Sequence, residues 1–129
     1  MRGRSRAKDR KMIKDLYEAI GGSYETALGR LMKDSLVEKF VMKFPNDPTF
    51  GELEQSLAAK DWDTAFRAAH TLKGVAMNLA FVKLAATATA LTDTLRPQNK
   101  DVFDESIAQM QFDLVKEDYN KVIEEIGKL

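Results

Sequence analysis

The segment that decides the fold is DWDTAFRAAHTLKGVAMNL, residues 61–79. Its apolar side chains recur every three or four residues, and this spacing places them along one face of an α-helix. That face consists of Trp62, Ala65, Phe66, Ala69, Leu72, Ala76 and Leu79. Asp61 stands just before it and belongs to the residue types that cap helix N-termini. We therefore predict a helix from Trp62 to Leu79 that packs one side against a core.

The segments on either side of this helix show the same spacing, interrupted by glycine and proline. They predict helices over about residues 12–20, 24–44, 48–59, 82–95 and 101–126. The stretch 24–44 is predicted as one helix of about five turns that ends before Pro45. Asp47 and Asp101 are predicted as the N-caps of the helices that follow them. Because the connections are short, we predict an all-α fold with antiparallel neighbouring helices in a bundle.

The core of the last helix is predicted to consist of two successive stripes at helical spacing. They are Phe103, Ile107, Met110 and Leu114, followed by Val115, Tyr119, Val122 and Ile126. Three methionines are also predicted to fill core space, because the Met side chain adapts to irregular gaps. They are Met32, Met42 and Met110.

Length and composition indicate one globular domain. The chain has 129 residues, of which 44% are hydrophobic and 31% charged, and this is too apolar for a disordered chain. The net charge is zero, but six of the 20 Lys and Arg lie in residues 1–11 beside one acid, Asp9, which leaves 14 basic against 19 acidic residues elsewhere. We predict that residues 1–11 are a disordered basic tail or a cloning remnant, and that residues 12–129 form a single helical domain.

The composition also excludes several classes of function. With no Cys and one His, the chain has no disulfide framework, no Cys/His zinc site and no thiol nucleophile, so no metal site is predicted. It lacks a P-loop, so it is not predicted to hydrolyse ATP by itself. No apolar run is long enough to span a membrane and no secretory signal is present, which predicts a cytoplasmic protein without membrane contact. The acidic body and the absence of aromatic residues from the tail disfavour nucleic-acid binding.

The one imidazole, His70, lies beside residues that favour chemistry at this position. At about 100° per residue, it lies about 100° round the helix from the centre of the apolar stripe at Ala69, where core meets solvent. A lone His there can simply pack and form local hydrogen bonds. However, Lys73 and Gly74 follow at i+3 and i+4, on the same face. A glycine inside a helix costs about 0.5 to 1 kcal/mol relative to alanine, so Gly74 needs a compensating reason.

Access to the ring supplies that reason. A neutral imidazole is nucleophilic near neutral pH and can attack phosphorus if the donor approaches closely, and Gly74 would clear the approach. The Lys73 ammonium would neutralise part of the charge of a phosphoryl group on His70. These residues therefore favour His70 as a phosphoryl acceptor.

The surface that would meet a partner is predicted from the residues one or two turns from His70. Phe66, Arg67 and Met77 share its exposed shoulder, where an apolar rim around a charged centre suits transient docking. Phe66 and Met77 are also predicted to support the ring from the edge of the core. Asn78 is the fourth candidate for partner binding, and the alternatives are that it serves the helix end or braces the site.

The run Ala69-His70-Thr71-Leu72-Lys73-Gly74, followed by Asn78-Leu79, resembles the signature of the histidine-containing phosphotransfer (HPt) domain. The turn at 57–62 and the Gly21-Gly22 stop are similar to that family as well. The resemblance implies an antiparallel four-helix bundle with an additional short N-terminal helix and one short connecting helix. It implies that His70 takes a phosphoryl group from a receiver-domain aspartate or a histidine kinase and passes it to another receiver-domain aspartate.

The resemblance further implies a phosphocarrier, not an enzyme. Such a chain needs no cofactor, because the Mg²⁺ and most catalytic groups belong to the receiver domain. Its expected partners are a response-regulator receiver domain, a hybrid sensor histidine kinase, or both, and we expect a monomer. The chain departs from the family pattern at Val75 and Ala80, where small residues and a glycine are usual. If the backbone at Ala80 is left-handed, alanine costs about 1 to 2 kcal/mol there.

Two other functions remain open at this level. The chain is a non-catalytic helical protein-interaction module if the motif is coincidental or inherited without activity. It is a nucleic-acid-binding bundle if the basic residues 1–11 act as an arm, in which case binding falls steeply with salt.

Overall fold

The computed structural model describes the backbone of residues 6–129 and the side chains of residues 11–129. Over this range the fold is all-helical, with no strand, as the apolar spacing predicts. The seven helices are α1 (Arg6–Ala19), α2 (Tyr24–Leu31), α3 (Asp34–Lys43), α4 (Thr49–Ala58), α5 (Trp62–Asn78), α6 (Val82–Leu95) and α7 (Glu105–Ile126). Two 3₁₀ turns, Phe44–Asn46 and Pro97–Val102, precede α4 and α7.

The four helices from α4 to α7 pack in sequence, each against the next. An aromatic group connects the last of them back to the first: the ring of Phe50 in α4 stacks on Tyr119 of α7 with centroids 4.0 Å apart and planes 5° apart. Phe50 also stacks on Phe112 at 5.6 Å, and Lys116 of α7 pairs with Glu54 of α4 at 3.1 Å. The helix α5 lies between α4 and α6, so one side of it remains exposed to solvent.

The first three helices cover the end of this arrangement where α5 turns into α6. The buried ring of Tyr17 in α1 contacts Tyr24 and Phe81, and its hydroxyl donates a hydrogen bond to the Leu79 carbonyl at 2.7 Å. Burial raises the pKa of Tyr17 far above its ordinary value, so the hydroxyl remains a donor. The N–H of Ser23 donates to the Ala80 carbonyl at 3.0 Å. Two hydrogen bonds thus hold the start of α2 and the end of α1 to the turn after α5.

Gly22 provides the close approach that this contact needs. A Cβ at Gly22 would lie 2.7 Å from the Ala80 carbonyl oxygen and 3.0 Å from the Tyr17 ring. We expect Gly22→Ala to lower the free energy of unfolding by about 1 to 3 kcal/mol, because overpacking forces backbone atoms apart. Chemical denaturation measures this loss. The control is Gly29→Ala in α2, where a Cβ meets nothing within 4 Å and stability should not fall; an equal loss in both variants would contradict the account.

The predicted single helix over 24–44 is wrong, because the chain breaks at Met32. Met32 has a left-handed backbone with φ of 75°, and its N–H donates to the Leu28 carbonyl and ends α2. On one straight helix, the buried Val37 and Val41 would lie on average about 90° round from Tyr24 and Ala27, so the buried residues would be spread over a wide arc. The break turns each half inward, and the Tyr24 hydroxyl donates to the Asp34 carboxylate across it.

The prediction for the start and first stripe of α7 is also wrong. Asp104 caps this helix instead of Asp101, since its carboxylate accepts the N–H groups of Ser106 and Ile107. The hydrogen bond from the Ser106 hydroxyl, together with these two backbone hydrogen bonds, holds the pKa of Asp104 below its usual range. The buried face is a single stripe that begins at the small residue Ala108 and continues through Phe112, Val115, Val122 and Ile126. Three larger apolar residues outside this stripe therefore face solvent, namely Ile107, Met110 and Leu114.

Other predictions differ by smaller amounts. Met32 and Met42 are exposed, as is Met110, so none of the three fills the core. The first helix begins at Arg6 instead of Met12, since the charged residues before Met12 are of types that tolerate helix well. Residues 1–5 of the predicted tail lie outside the described residues. The N-cap position of α4 is Pro48 and not Asp47, but the Asp47 carboxylate accepts the Thr49 N–H at 2.8 Å and so satisfies a donor at the start of the helix.

Candidate functional site

The helix α5 carries the candidate site, and its local structure follows from its sequence. The Asp61 carboxylate accepts the N–H of Thr64 at 3.3 Å, which confirms Asp61 as the N-cap. Hydrogen bonds from Thr64 hold the pKa of Asp61 below its usual value. The buried face consists mainly of small residues, which lets neighbouring helices approach closely: Ala65, Ala68, Ala69, Leu72 and Ala76.

His70 is exposed on the outer side of α5, at the position predicted for it. No residue in the described range forms a hydrogen bond or ion pair with its imidazole. Among the described residues its ring contact is with Phe66, one turn earlier, whose ring centroid lies 6.0 Å away at an interplanar angle of 49°. Both ring nitrogens are therefore uncommitted among the described residues, so the nitrogen that would act as nucleophile is not engaged by a neighbour.

Lys73 lies half-buried one turn after His70 and has no ion-pair partner within residues 11–129. Side chains in an α-helix lean toward the N-terminus, so the Lys73 side chain extends back over the turn that carries His70. Its ammonium charge is thus available to a group bound at the imidazole.

Gly74 leaves open space beside the ring. A Cβ built at Gly74 meets nothing within 4 Å, so no neighbour within the described chain requires a glycine there. Any longer side chain at Gly74 would lean N-terminally, over His70. Packing within the described part of the domain therefore does not account for the absence of a side chain at Gly74.

The four residues predicted to contact a partner lie in two places. Phe66 is half-buried, Arg67 is exposed with its guanidinium 3.3 Å from the Thr64 hydroxyl, and Met77 is 43% exposed. These three lie on the side of α5 near His70. Asn78, the last residue of α5, instead lines a cleft of about 510 Å³ against α3. Val75 lines the same cleft, on the side of α5 away from His70.

One residue near the site is not apparent from the sequence. The guanidinium of Arg96, at the end of α6, lies over the ring of Phe66, with its carbon 5.7 Å from the centroid. Arg96 is 26 residues beyond His70, and no local pattern connects the two. The sequence shows only that a basic residue stands just before Pro97. The contact of Arg96 with Phe66 depends on how α6 packs on α5.

The turn after α5 is left-handed at Ala80, with φ of 55°. The Phe81 N–H donates to the Ala76 carbonyl at 2.9 Å and the Ala80 N–H donates to Met77 at 3.0 Å, which is the hydrogen-bonding pattern of a glycine-type helix end. Alanine thus adopts the backbone expected of glycine, at the cost of about 1 to 2 kcal/mol. The burial of Ala80 and its carbonyl bond to Ser23 offset that cost.

Two absences hold for the part of the chain that the structure describes. No helix there has both the length and the apolar character to cross a bilayer. No three or more His, Asp or Glu side chains there are grouped to hold a metal ion.

These features define a helical domain that presents its one histidine to solvent, beside an ammonium without an ion-pair partner among the described side chains and beside a glycine that leaves open space. The family model for the Hpt domain matches residues 35–125, which is more than half of the chain. The chain therefore belongs to the Hpt domain family. The match covers α3 to α7, while α1 and α2 precede it. No curated protein and no solved structure shows a significant match to the chain.

Membership in this family defines the general activity. Hpt domains are histidine phosphotransfer proteins of phosphorelays, and they act as phosphocarriers instead of true enzymes. They work with the receiver domains of response regulators.

Proposed function

We propose that His70 accepts a phosphoryl group from a receiver-domain aspartate or a histidine kinase and passes it to another receiver-domain aspartate. The observation that carries this proposal is the exposed imidazole, which has no hydrogen-bond partner in the described chain and lies between Lys73 and the open space at Gly74. The helices α4 to α7 would then be the antiparallel four-helix bundle of such a domain, with α1, α2 and α3 before it.

The transfer requires only groups that this chain and its partner hold. A lone pair of a neutral imidazole nitrogen attacks the phosphorus of the partner's acyl phosphate. The P–N bond forms, the P–O bond breaks, and the aspartate leaves as carboxylate. The second ring nitrogen carries the proton of the resulting imidazolium and can release it to solvent. Transfer onward is the reverse reaction with a second receiver.

Within this proposal the chain contributes no cofactor, and Mg²⁺ belongs to the receiver domain. A hybrid sensor histidine kinase, a response regulator, or both would supply the partner domains. We further propose a monomeric, cytoplasmic protein that contacts neither nucleic acid nor membrane.

Lys73 is expected to stabilise the phosphoryl group by its charge. We expect Lys73→Met, which keeps the half-buried stem but removes the ammonium, to slow phosphoryl transfer to His70 about tenfold. Lys73→Arg keeps a cation and should retain most of the rate. Rapid-quench kinetics with a phosphorylated receiver domain measure both rates, and a Met variant as fast as the wild type would contradict this role.

The proposal is tested by incubating the chain with a ³²P-phosphorylated receiver domain. We expect label on the chain in a form that is acid-labile and alkali-stable, as phosphoramidates are. The readout is diagnostic because the chain holds one His and no Cys. An acid-stable adduct would indicate a hydroxyl acceptor. Binding of the receiver without any label would indicate the alternative, a non-catalytic helical interaction module.

A further inference from the structure

The orientation of the His70 ring depends on an aromatic contact. No residue of the described chain donates a hydrogen bond to the imidazole or accepts one from it, so no such bond fixes its rotamer. Because helical side chains lean toward the N-terminus, the ring lies over the turn that holds Phe66 at i−4. The centroid distance of 6.0 Å and the tilt of 49° fall within the range of favourable aromatic pairs.

Phe66 is itself held from two sides. Its half-buried ring packs against the core, and the Arg96 guanidinium lies over it at 5.7 Å, within the range of a cation–π contact. Arg96 is fixed in turn, because its Nε donates to the Asp93 carboxylate at 3.0 Å and its backbone N–H donates to the Asp93 carbonyl. A series of contacts therefore runs from the end of α6 to the imidazole, through Asp93, Arg96 and Phe66.

We propose that Phe66, held by Arg96, is a positioning residue for phosphotransfer at His70; this rests on the function proposed above. An aromatic ring restricts the imidazole without occupying either nitrogen, whereas a hydrogen bond would occupy a nitrogen. A restricted ring spends more time with its reactive nitrogen facing the incoming phosphorus. Loss of such alignment slows a transfer step without weakening the docking of the partner.

The test replaces Phe66 by Leu, which keeps apolar volume but removes the aromatic ring. At saturating phosphorylated receiver, we expect the rate constant for transfer to fall about tenfold, while the Kd of the receiver changes less than about twofold. Phe66→Tyr, which keeps the ring, should restore the rate. Phe40→Leu on α3 is the matched control, because Phe40 is 41% exposed, lines the cleft beside Asn78, and lies away from His70. A Leu variant that transfers at the wild-type rate overturns the proposal.

A second measurement separates this proposal from the proposed function. The chain has one His, so its ring protons give one set of NMR signals. We expect Phe66→Leu to remove their ring-current shift and to broaden the His70 rotamer distribution, even if the wild type accepts no label. Unchanged His70 shifts and couplings would overturn the positioning role alone. If Phe66→Leu does not fold, Arg96→Gln carries the test, with an expected slowing of two- to threefold and wild-type behaviour as the contradicting result.

Discussion

Replacing His70 by Gln is expected to abolish phosphoryl uptake, with a rate at least about 100-fold below that of the wild type. Glutamine keeps a polar side chain of similar reach but offers no nucleophilic nitrogen at neutral pH. Because His70 is exposed and has no hydrogen-bond or ion-pair partner within the described residues, the free energy of unfolding should change by less than about 0.5 kcal/mol. Label transfer from a phosphorylated receiver and a denaturation curve measure the two quantities.

The stability of the variant is the control for this experiment. If the His70→Gln variant unfolds like the wild type and still binds the receiver, the lost uptake is due to the missing nucleophile and not to misfolding or weaker binding. Equal label on the variant and the wild type would remove His70 from the mechanism, and the acceptor would then be an oxygen nucleophile.

Replacing Gly74 by Leu is expected to slow transfer about 100-fold, which corresponds to about 2.7 kcal/mol. The new side chain would lean over His70 and block the approach of the phosphorus. Gly74→Ala should slow transfer less, because it adds only a Cβ. Stability should rise by about 0.5 to 1 kcal/mol in the Ala variant, since the open space accepts a Cβ and alanine favours helix.

Gly51 supplies the matched control for Gly74. It lies on the exposed face of α4, and a Cβ there also meets nothing within 4 Å. Gly51→Ala and Gly51→Leu should therefore change stability much as the Gly74 variants do and leave the transfer rate unchanged. If Gly74→Leu transferred phosphate as fast as Gly51→Leu, the space beside His70 would not be needed for the phosphoryl donor to reach the ring.

The candidate site could be predicted from the sequence because it lies within one helix. The N-cap at Asp61 and the span of α6 from Val82 to Leu95 follow from local spacing and capping, and the structure confirms both. The positions of Lys73 and Gly74 relative to His70 depend only on the helical repeat. No knowledge of the neighbouring helices is needed for any of these features.

The features that the sequence missed depend on contacts between distant segments. The break at Met32 arises because α2 and α3 must each turn a different face to one core. In α7, the small Ala108 takes the buried position, and Ile107 faces solvent although it is more apolar. The contact of Arg96 with Phe66 likewise depends on the packing of α6 on α5. Local spacing describes which residues share a face but not which face the fold buries.

The central claim is that the imidazole of His70 carries the phosphoryl group. Its most direct test is mass-spectrometric mapping of the chain after reaction with a phosphorylated receiver domain, with digestion at alkaline pH to preserve a phosphoramidate. We expect one phosphate per chain, on the peptide that contains His70 and on that residue. Phosphate on a serine, threonine or aspartate, with His70 unmodified, would contradict the claim.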